Sequence, residues 1–258
     1  MRLWMWLAVV AALSPRPVAA DLAAARSHLL AGDHAAAAEY KRLAEQGDGE
    51  AQASLAEMYF TGRRIDQDQE AGIEWFRRAA DGAHVASQVH LGMISGQAQH
   101  FELSANWFRK AAGAGDAAGM TNLAALYFRG LGVERNAAQA LDWFANAAAQ
   151  GDPAHQLQLG GLYLDGASGQ PDVENGLRWI GRAANQGYSD AQIRLGTIFT
   201  QGGAVPKDLV RAYLWLHRAS MMGTEQAGDA LSALAAEMTA EQIAEAKRLA
   251  DAWVPGTR

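Results

Sequence analysis

Apolar and polar positions alternate along this chain with helical spacing, and the pattern repeats. Leu55, Leu91, Leu123, Leu159 and Leu195 form one column, with intervals of 36, 32, 36 and 36 residues, and Trp75, Trp107, Trp143, Trp179 and Trp215 form a second at 32, 36, 36 and 36. In the third copy Leu123, Leu126 and Tyr127 follow an i, i+3, i+4 stripe, which predicts an amphipathic helix. The two columns together define a two-helix unit, present in five copies over residues 51–223.

Further columns punctuate the unit. Small residues follow the leucine at Ala56, Gly92, Ala124, Gly160 and Gly196, where lack of bulk lets a partner helix approach closely. The first helix is expected to stop at Gly62, Gly130, Gly166 and Gly202. Seven residues before the tryptophans stand Asp68, Asn136, Asp172 and Asp208, side chains suited to capping the second helix. Paired small residues follow each tryptophan, from Ala79 and Ala80 to Ala219 and Ser220, and a glycine closes the unit at Gly82, Gly115, Gly151, Gly187 and Gly223. Large aromatics beside flat alanine patches, at a fixed period, read as a tryptophan core.

The segments LAALYFRGLGV from Leu123 to Val133 and ALDWFANAA from Ala140 to Ala148 resemble Sel1-like repeats, a group related to tetratricopeptide repeats, in an exported bacterial member. That resemblance implies an all-α fold, a right-handed α-solenoid of stacked helix-turn-helix repeats whose first helices line a concave groove. An atypical helical unit, 21–50, precedes the five copies; in it Tyr40 takes the aromatic place and Glu39 that of the tryptophan. Residues 224–258 are expected to supply two capping helices, the second opened by a capping box from Thr239 to Gln242 and packing Ala244, Leu249 and Trp253 inward. The second copy departs from the pattern: it lacks four residues between its helices, carries Ser95 where the others have Tyr or Phe, and has His100 at the cap position. A bend or early-opening segment is expected at 95–100.

On the first helices, positions around the leucine column that lie off the core stripe hold Glu57, Phe60, Val89, Met93, Thr121, Phe128, Leu157, Leu164, Ile193 and Thr197. For a surface this set is apolar. It forms either a hydrophobic lane for a partner's helix or extended segment, or ordinary core buried between adjacent first helices.

Composition then narrows the setting. Arg2, an apolar run from Leu3 to Leu13, breakers at Pro15 and Pro17 and small residues at 18–20 read as a signal peptide, 1–20, cleaved after Ala20, which places the mature chain in the periplasm or outside the cell. The absence of Cys excludes disulfides, thiol catalysis and lipid attachment through an N-terminal cysteine. The formal charge is −6, and losing Arg2 and Arg16 leaves 20 basic against 28 acidic groups, or −8; this argues against nucleic acid and against direct membrane binding after cleavage.

Nothing in the sequence announces chemistry. The seven histidines form no i, i+4 pair, no zinc or phosphate motif stands out, and neither a metal nor a cofactor is expected. The acidic run Asp66, Asp68, Glu70 and Glu74 lies where a cap and a helix first turn want negative charge, so an acid–base pair acting on a glycan is the weaker explanation. The chain is therefore expected to be a non-catalytic adaptor or regulator with a protein partner. By the resemblance, that partner is a membrane sensor or an envelope assembly factor. The alternative is an envelope protein that binds peptidoglycan or another polymer, or an unrecognised cell-wall hydrolase.

Overall fold

The computed structural model describes residues 18–30, 35–167 and 169–252. Those residues hold fourteen helices and no strand, as an alanine-rich sequence poor in β-branched residues dictates. The chain divides into two compact units, up to Leu91 and from Gly92. The first holds α1 (Val18–Leu30), α2 (Ala35–Glu45), α3 (Gly49–Thr61), α4 (Gln69–Asp81) and the start of α5 (Val85–Gln97). The rest of α5 belongs to the second, with α6 (Phe101–Gly113), α7 (Ala117–Arg129), α8 (Ala137–Ala149), α9 (Pro153–Leu164), α10 (Val173–Asn185), α11 (Ser189–Gln201), α12 (Leu209–Met221), α13 (Glu225–Ala235) and α14 (Ala240–Asp251). Helices pair within a repeat, α3 with α4, α7 with α8, α9 with α10 and α11 with α12, and the pairs stack through α2 on α3, α6 on α7, α8 on α9 and α10 on α11. Residues 1–17, the body of the expected signal peptide, lie outside the described residues; the expected cleavage point after Ala20 falls in the first turn of α1.

The predicted caps form. Asp68, Asn136, Asp172 and Asp208 each accept a bond from the backbone N–H three residues on, at 2.9–3.0 Å. His100 makes no such side-chain bond. Asp48, Asp116 and Asp152, which the sequence reading passed over, cap first helices in the same way. His84 holds the matching place before α5, where its Nδ1 accepts from the Ser87 N–H at 3.3 Å.

The core column is not the tryptophan column. Four tryptophans, at 75, 143, 179 and 215, are only half-buried. The sealed position is the next residue: Tyr40, Phe76, Phe108, Phe144, Ile180 and Leu216 are each at most 5% exposed. That residue shares one helical face with the paired small residues three and four positions on, as Phe76 does with Ala79 and Ala80, both buried. The tryptophan stands one position round the helix and keeps one face outward. A basic side chain three residues on covers that face: Arg78, Lys110, Arg182 and Arg218 lie 4.1–4.7 Å from the ring centroids.

Small residues beside the leucine column admit that core side chain. A Cβ on Gly92 would stand 2.5 Å from the Phe108 ring, on Gly160 2.5 Å from Ile180 Cγ1 and on Gly196 2.6 Å from Leu216 Cγ. A glutamine column, unremarked in the sequence, stitches each first helix to the helix before it. Gln52, Gln88, Gln156 and Gln192 donate from Nε2 to the carbonyls of Ala44, Ala80, Ala148 and Ala184 at 3.0–3.4 Å. Met120 stands at that position in the third copy, and there Gln150 donates instead to the Gly115 carbonyl at 2.7 Å.

Every turn from a second helix to the next first helix spans three residues, 46–48, 82–84, 114–116, 150–152, 186–188 and 222–224. Its middle residue is left-handed: Gly47, Gly115, Gly151, Gly187 and Gly223 have φ between 82° and 100°. The first copy corrects the expected closing glycine, because Gly82 has φ −76° and the left-handed residue is Ala83, at φ 65°. An L-residue there carries steric strain of about 1 kcal/mol. Ala83→Gly is therefore expected to stabilise the protein by about 0.5–1 kcal/mol, net of the extra freedom glycine gives the unfolded chain. Paired denaturant melts of the wild type and Ala83→Gly decide this; an unchanged or lowered midpoint contradicts it.

The second copy closes tightly, as expected from its missing residues. Between α5 and α6 only 98–100 remain; His100 N–H reaches the Ser95 carbonyl at 2.8 Å, Gln99 N–H the Gly96 carbonyl at 3.0 Å, and Gln99 takes φ 61°. Ser95, 7% exposed, is core, and Ser104 Oγ donates to the Gly92 carbonyl at 2.7 Å.

The C-terminal helices pack on α12, and the Thr239 capping box is present. The inward stripe of α14 is Ile243, Ala246 and Ala250. Ala244, expected inward, is exposed, Leu249 is half-buried, and Trp253 lies outside the described residues. Helix geometry explains the difference, since 243, 246 and 250 lie on one face and 244 does not.

Candidate interaction surface

The ten residues singled out on the first helices neither stand open nor vanish into the core. Glu57 and Met93 are exposed, Met93 at 47%, and the other eight are half-buried. In the first unit Phe60 meets Phe76 edge-on, ring centroids 6.4 Å apart. In the second, Leu157 and Leu164 pack against the core around Ile180 and Leu195, and Phe128 against that around Phe144 and Leu159. One row is uniform. The residue two before the leucine is half-buried in every copy: Ala53, Val89, Thr121, Leu157 and Ile193. Its outer neighbours include the exposed His90, Gln158 and Arg194. Thr197 folds its hydroxyl back onto the Ile193 carbonyl at 2.9 Å, whereas the buried Thr121 Oγ1 has no partner among the described residues.

A second feature, absent from the sequence reading, is a cleft of about 470 Å³ in the second unit, lined by Gln186, Gly187, Gln192, Arg218, Met221, Met222, Ala250 and Asp251. Arg218 is 8% exposed, and burial pushes its guanidinium down to about 10. Met221 and Met222 are 71% and 67% exposed, the highest values for large apolar side chains among the described residues. Gln192 Oε1 is buried and has no partner among the described residues. The equivalent oxygen in the preceding copy, Gln156 Oε1, accepts from Gln186 at 2.8 Å; thirty residues after Gln192 the chain has Met222 instead of a glutamine.

The acidic run is used structurally. Asp68 caps α4, Glu70 lies in its first turn, and Glu74 pairs with Arg77 and Arg78 at 3.1 and 3.4 Å. His90 stacks on Phe76 at 4.9 Å and His217 on Tyr213 at 5.8 Å. Among the described residues no three His, Cys, Asp or Glu side chains converge as metal ligands, and no helix is long and apolar enough to cross a membrane.

Comparison with known proteins gives a consistent answer. The Sel1 repeat model matches residues 49–84, 86–116, 117–152, 156–188 and 189–224. No curated protein matches the sequence significantly. Among solved structures, a protective antigen present in uropathogenic Escherichia coli strains, displaying an SLR fold, is 27% identical with a TM-score of 0.71, over 92% of this chain and 54% of that one. A Sel1 repeat protein from Oxalobacter formigenes is 28% identical with a TM-score of 0.64, over 77% and 59%. The chain thus spans little more than half the length of these two relatives.

Proposed function

Because the chain belongs to the Sel1 repeat family, whose members are generally protein-interaction scaffolds, we propose that it is a non-catalytic adaptor or regulator that holds a protein partner in the periplasm. The observation that carries this reading is the uniform row on the first helices. In the second unit Thr121, Leu157 and Ile193 recur every 36 residues, each half-buried. Side chains fixed by packing below and partly open above offer a partner a preorganised surface at low entropic cost. Neighbouring polar residues give that surface its means of discrimination. The N-terminal sequence supports export, and the acidic balance supports a partner that is neither nucleic acid nor anionic lipid. A membrane sensor or an envelope assembly factor is the partner this reading favours.

Affinity capture from the native envelope tests it. Met93→Glu with Thr197→Glu places two charges on this face without emptying the core, and circular dichroism establishes that the double variant folds. Wild type is expected to retain one reproducible protein that the double variant loses. Retention of the same cell-wall polymer by both forms, with no protein, overturns the adaptor reading and puts polymer binding in its place.

A further inference from the structure

The face that carries the proposed function is most open between α9 and α11, two first helices that touch. The residue two after the leucine is Glu57, Met93, Ala125, Gly161 and Thr197 in the five copies. Gly161 is the smallest of these, it lies inside a helix that glycine weakens, and nothing stands within 4 Å of where its Cβ would be. The fold makes no use of that space. By helix geometry Leu157 and Gln158 lie one turn from Gly161, and Ile193, Arg194 and Thr197 hold the matching places on α11. Leu157 and Ile193 are half-buried apolar walls, whereas the polar members have bonding capacity left over. The Thr197 hydroxyl gives its hydrogen to the Ile193 carbonyl at 2.9 Å and keeps its oxygen lone pairs. Gln158 and Arg194 are exposed, and neither has a hydrogen-bond or ion-pair partner among the described residues. Asp190, one turn before Arg194, is exposed and makes no ion pair with it.

We infer that α9 and α11 hold an extended peptide segment of the partner, with one acidic side chain placed against Arg194. The inference rests on the protein-binding reading and names the kind of partner that reading requires. A helical partner satisfies its own backbone and keeps it about 8–10 Å from the neighbouring helix axis, so it gains nothing from a missing side chain. An extended segment brings unpaired N–H and C=O groups, and its main chain lies closest where the surface has no Cβ. Gly161 is that floor. Beside it the Gln158 amide offers a donor and an acceptor to a peptide group, and Thr197 Oγ1 accepts from a peptide N–H. An extended chain advances about 3.3 Å per residue, so it delivers a side chain to each first helix about every third residue. Leu157 and Ile193 receive apolar ones. Arg194 sets the charge: it is an unpaired cation in a chain of formal charge −6, and its planar fork takes a carboxylate in two parallel bonds.

Fluorescence polarisation of the full chain with a positional-scanning library of short peptides tests this, the peptides being acetylated and amidated so that any carboxylate is a side chain. Bound pools are expected to carry Asp or Glu at one fixed position and to favour Val, Ile, Thr or Pro elsewhere over helix formers. With the tightest single peptide, Arg194→Gln is expected to weaken binding about tenfold, the size of one charge-assisted contact, and to leave the peptide's Asn or Gln analogue unchanged. Gly161→Ala is expected to weaken both peptides about tenfold, because a Cβ fills the floor, while raising the melting temperature. Gly181→Ala in α10, where a Cβ also meets nothing within 4 Å, is the control: it should raise the melting temperature and leave binding unchanged. The proposal falls if no pool binds below about 100 μM. In that case the adaptor reading stands if envelope capture still yields a partner that Met93→Glu with Thr197→Glu loses, and falls as well if capture yields none. The proposal falls equally if the selected peptides are helix formers without an acid, or if Gly161→Ala and Gly181→Ala have the same effect on binding.

Discussion

Removal of residues 224–258 is expected to lower the melting temperature by about 10 °C or more, or to convert the protein to aggregates. A stack of repeats has no closed core, so its last unit needs a lid with a polar outer face. Here α13 and α14 bring the buried Leu234 and Ala246 into the core that holds Tyr213 and Leu216, and with the turn between them lay Leu231, Met238 and Ile243 against it. Uncovering three or four such side chains costs on the order of 5 kcal/mol. Circular dichroism melts together with light scattering on the truncated chain measure both outcomes. A monomeric truncation with an unchanged midpoint shows that the fifth copy closes itself and that the lid is dispensable.

Two adjacent glycines in α9 should respond to the same substitution with opposite signs. Gly161 has nothing within 4 Å of where its Cβ would be, so Gly161→Ala gains helix propensity and is expected to stabilise by about 0.5–1 kcal/mol. At Gly160 the same Cβ would lie 2.5 Å from Ile180 Cγ1, 2.8 Å from the Gly176 carbonyl oxygen and 3.0 Å from the Ile180 backbone nitrogen. Two of those three atoms are backbone, so α9 and α10 must part. The overpacking cost outweighs the propensity gain, and Gly160→Ala is expected to destabilise by about 2–3 kcal/mol. Urea melts of the two variants decide it. Equal shifts of either sign refute the claim that a glycine sets the helix spacing.

Both helices of every repeat, the caps of four second helices and the glycine stops were legible in the sequence, because each follows from side chains within four residues of one another. What escaped notice depended on closer discrimination or on distance. The tryptophan and the residue after it are both large and apolar, so the 36-residue period marks them equally. The face shared with the paired alanines separates them, and so does the basic residue three beyond the tryptophan, a signal present in the sequence and not used. The glutamine column gives no local sign at all: Gln156 on a helix reads as a solvated side chain until the fold brings the Ala148 carbonyl beside it. For the interaction face, spacing chose the row on the first helices, but exposure follows from how neighbouring helices lean together. Local sequence does not encode that angle. The cleft beside Arg218 lay further out of reach, since it is assembled from three helices and the turn that precedes α11.

The three-residue turns between repeats hold one length throughout, whereas the connections inside repeats run over 62–68, 98–100, 130–136, 165–172 and 202–208. The second copy, four residues shorter, still builds two thirteen-residue helices. Insertions and deletions thus have one tolerated address in each repeat. A lineage carrying this fold can rewrite the connection inside a repeat, residue by residue, while the turns between repeats keep one length.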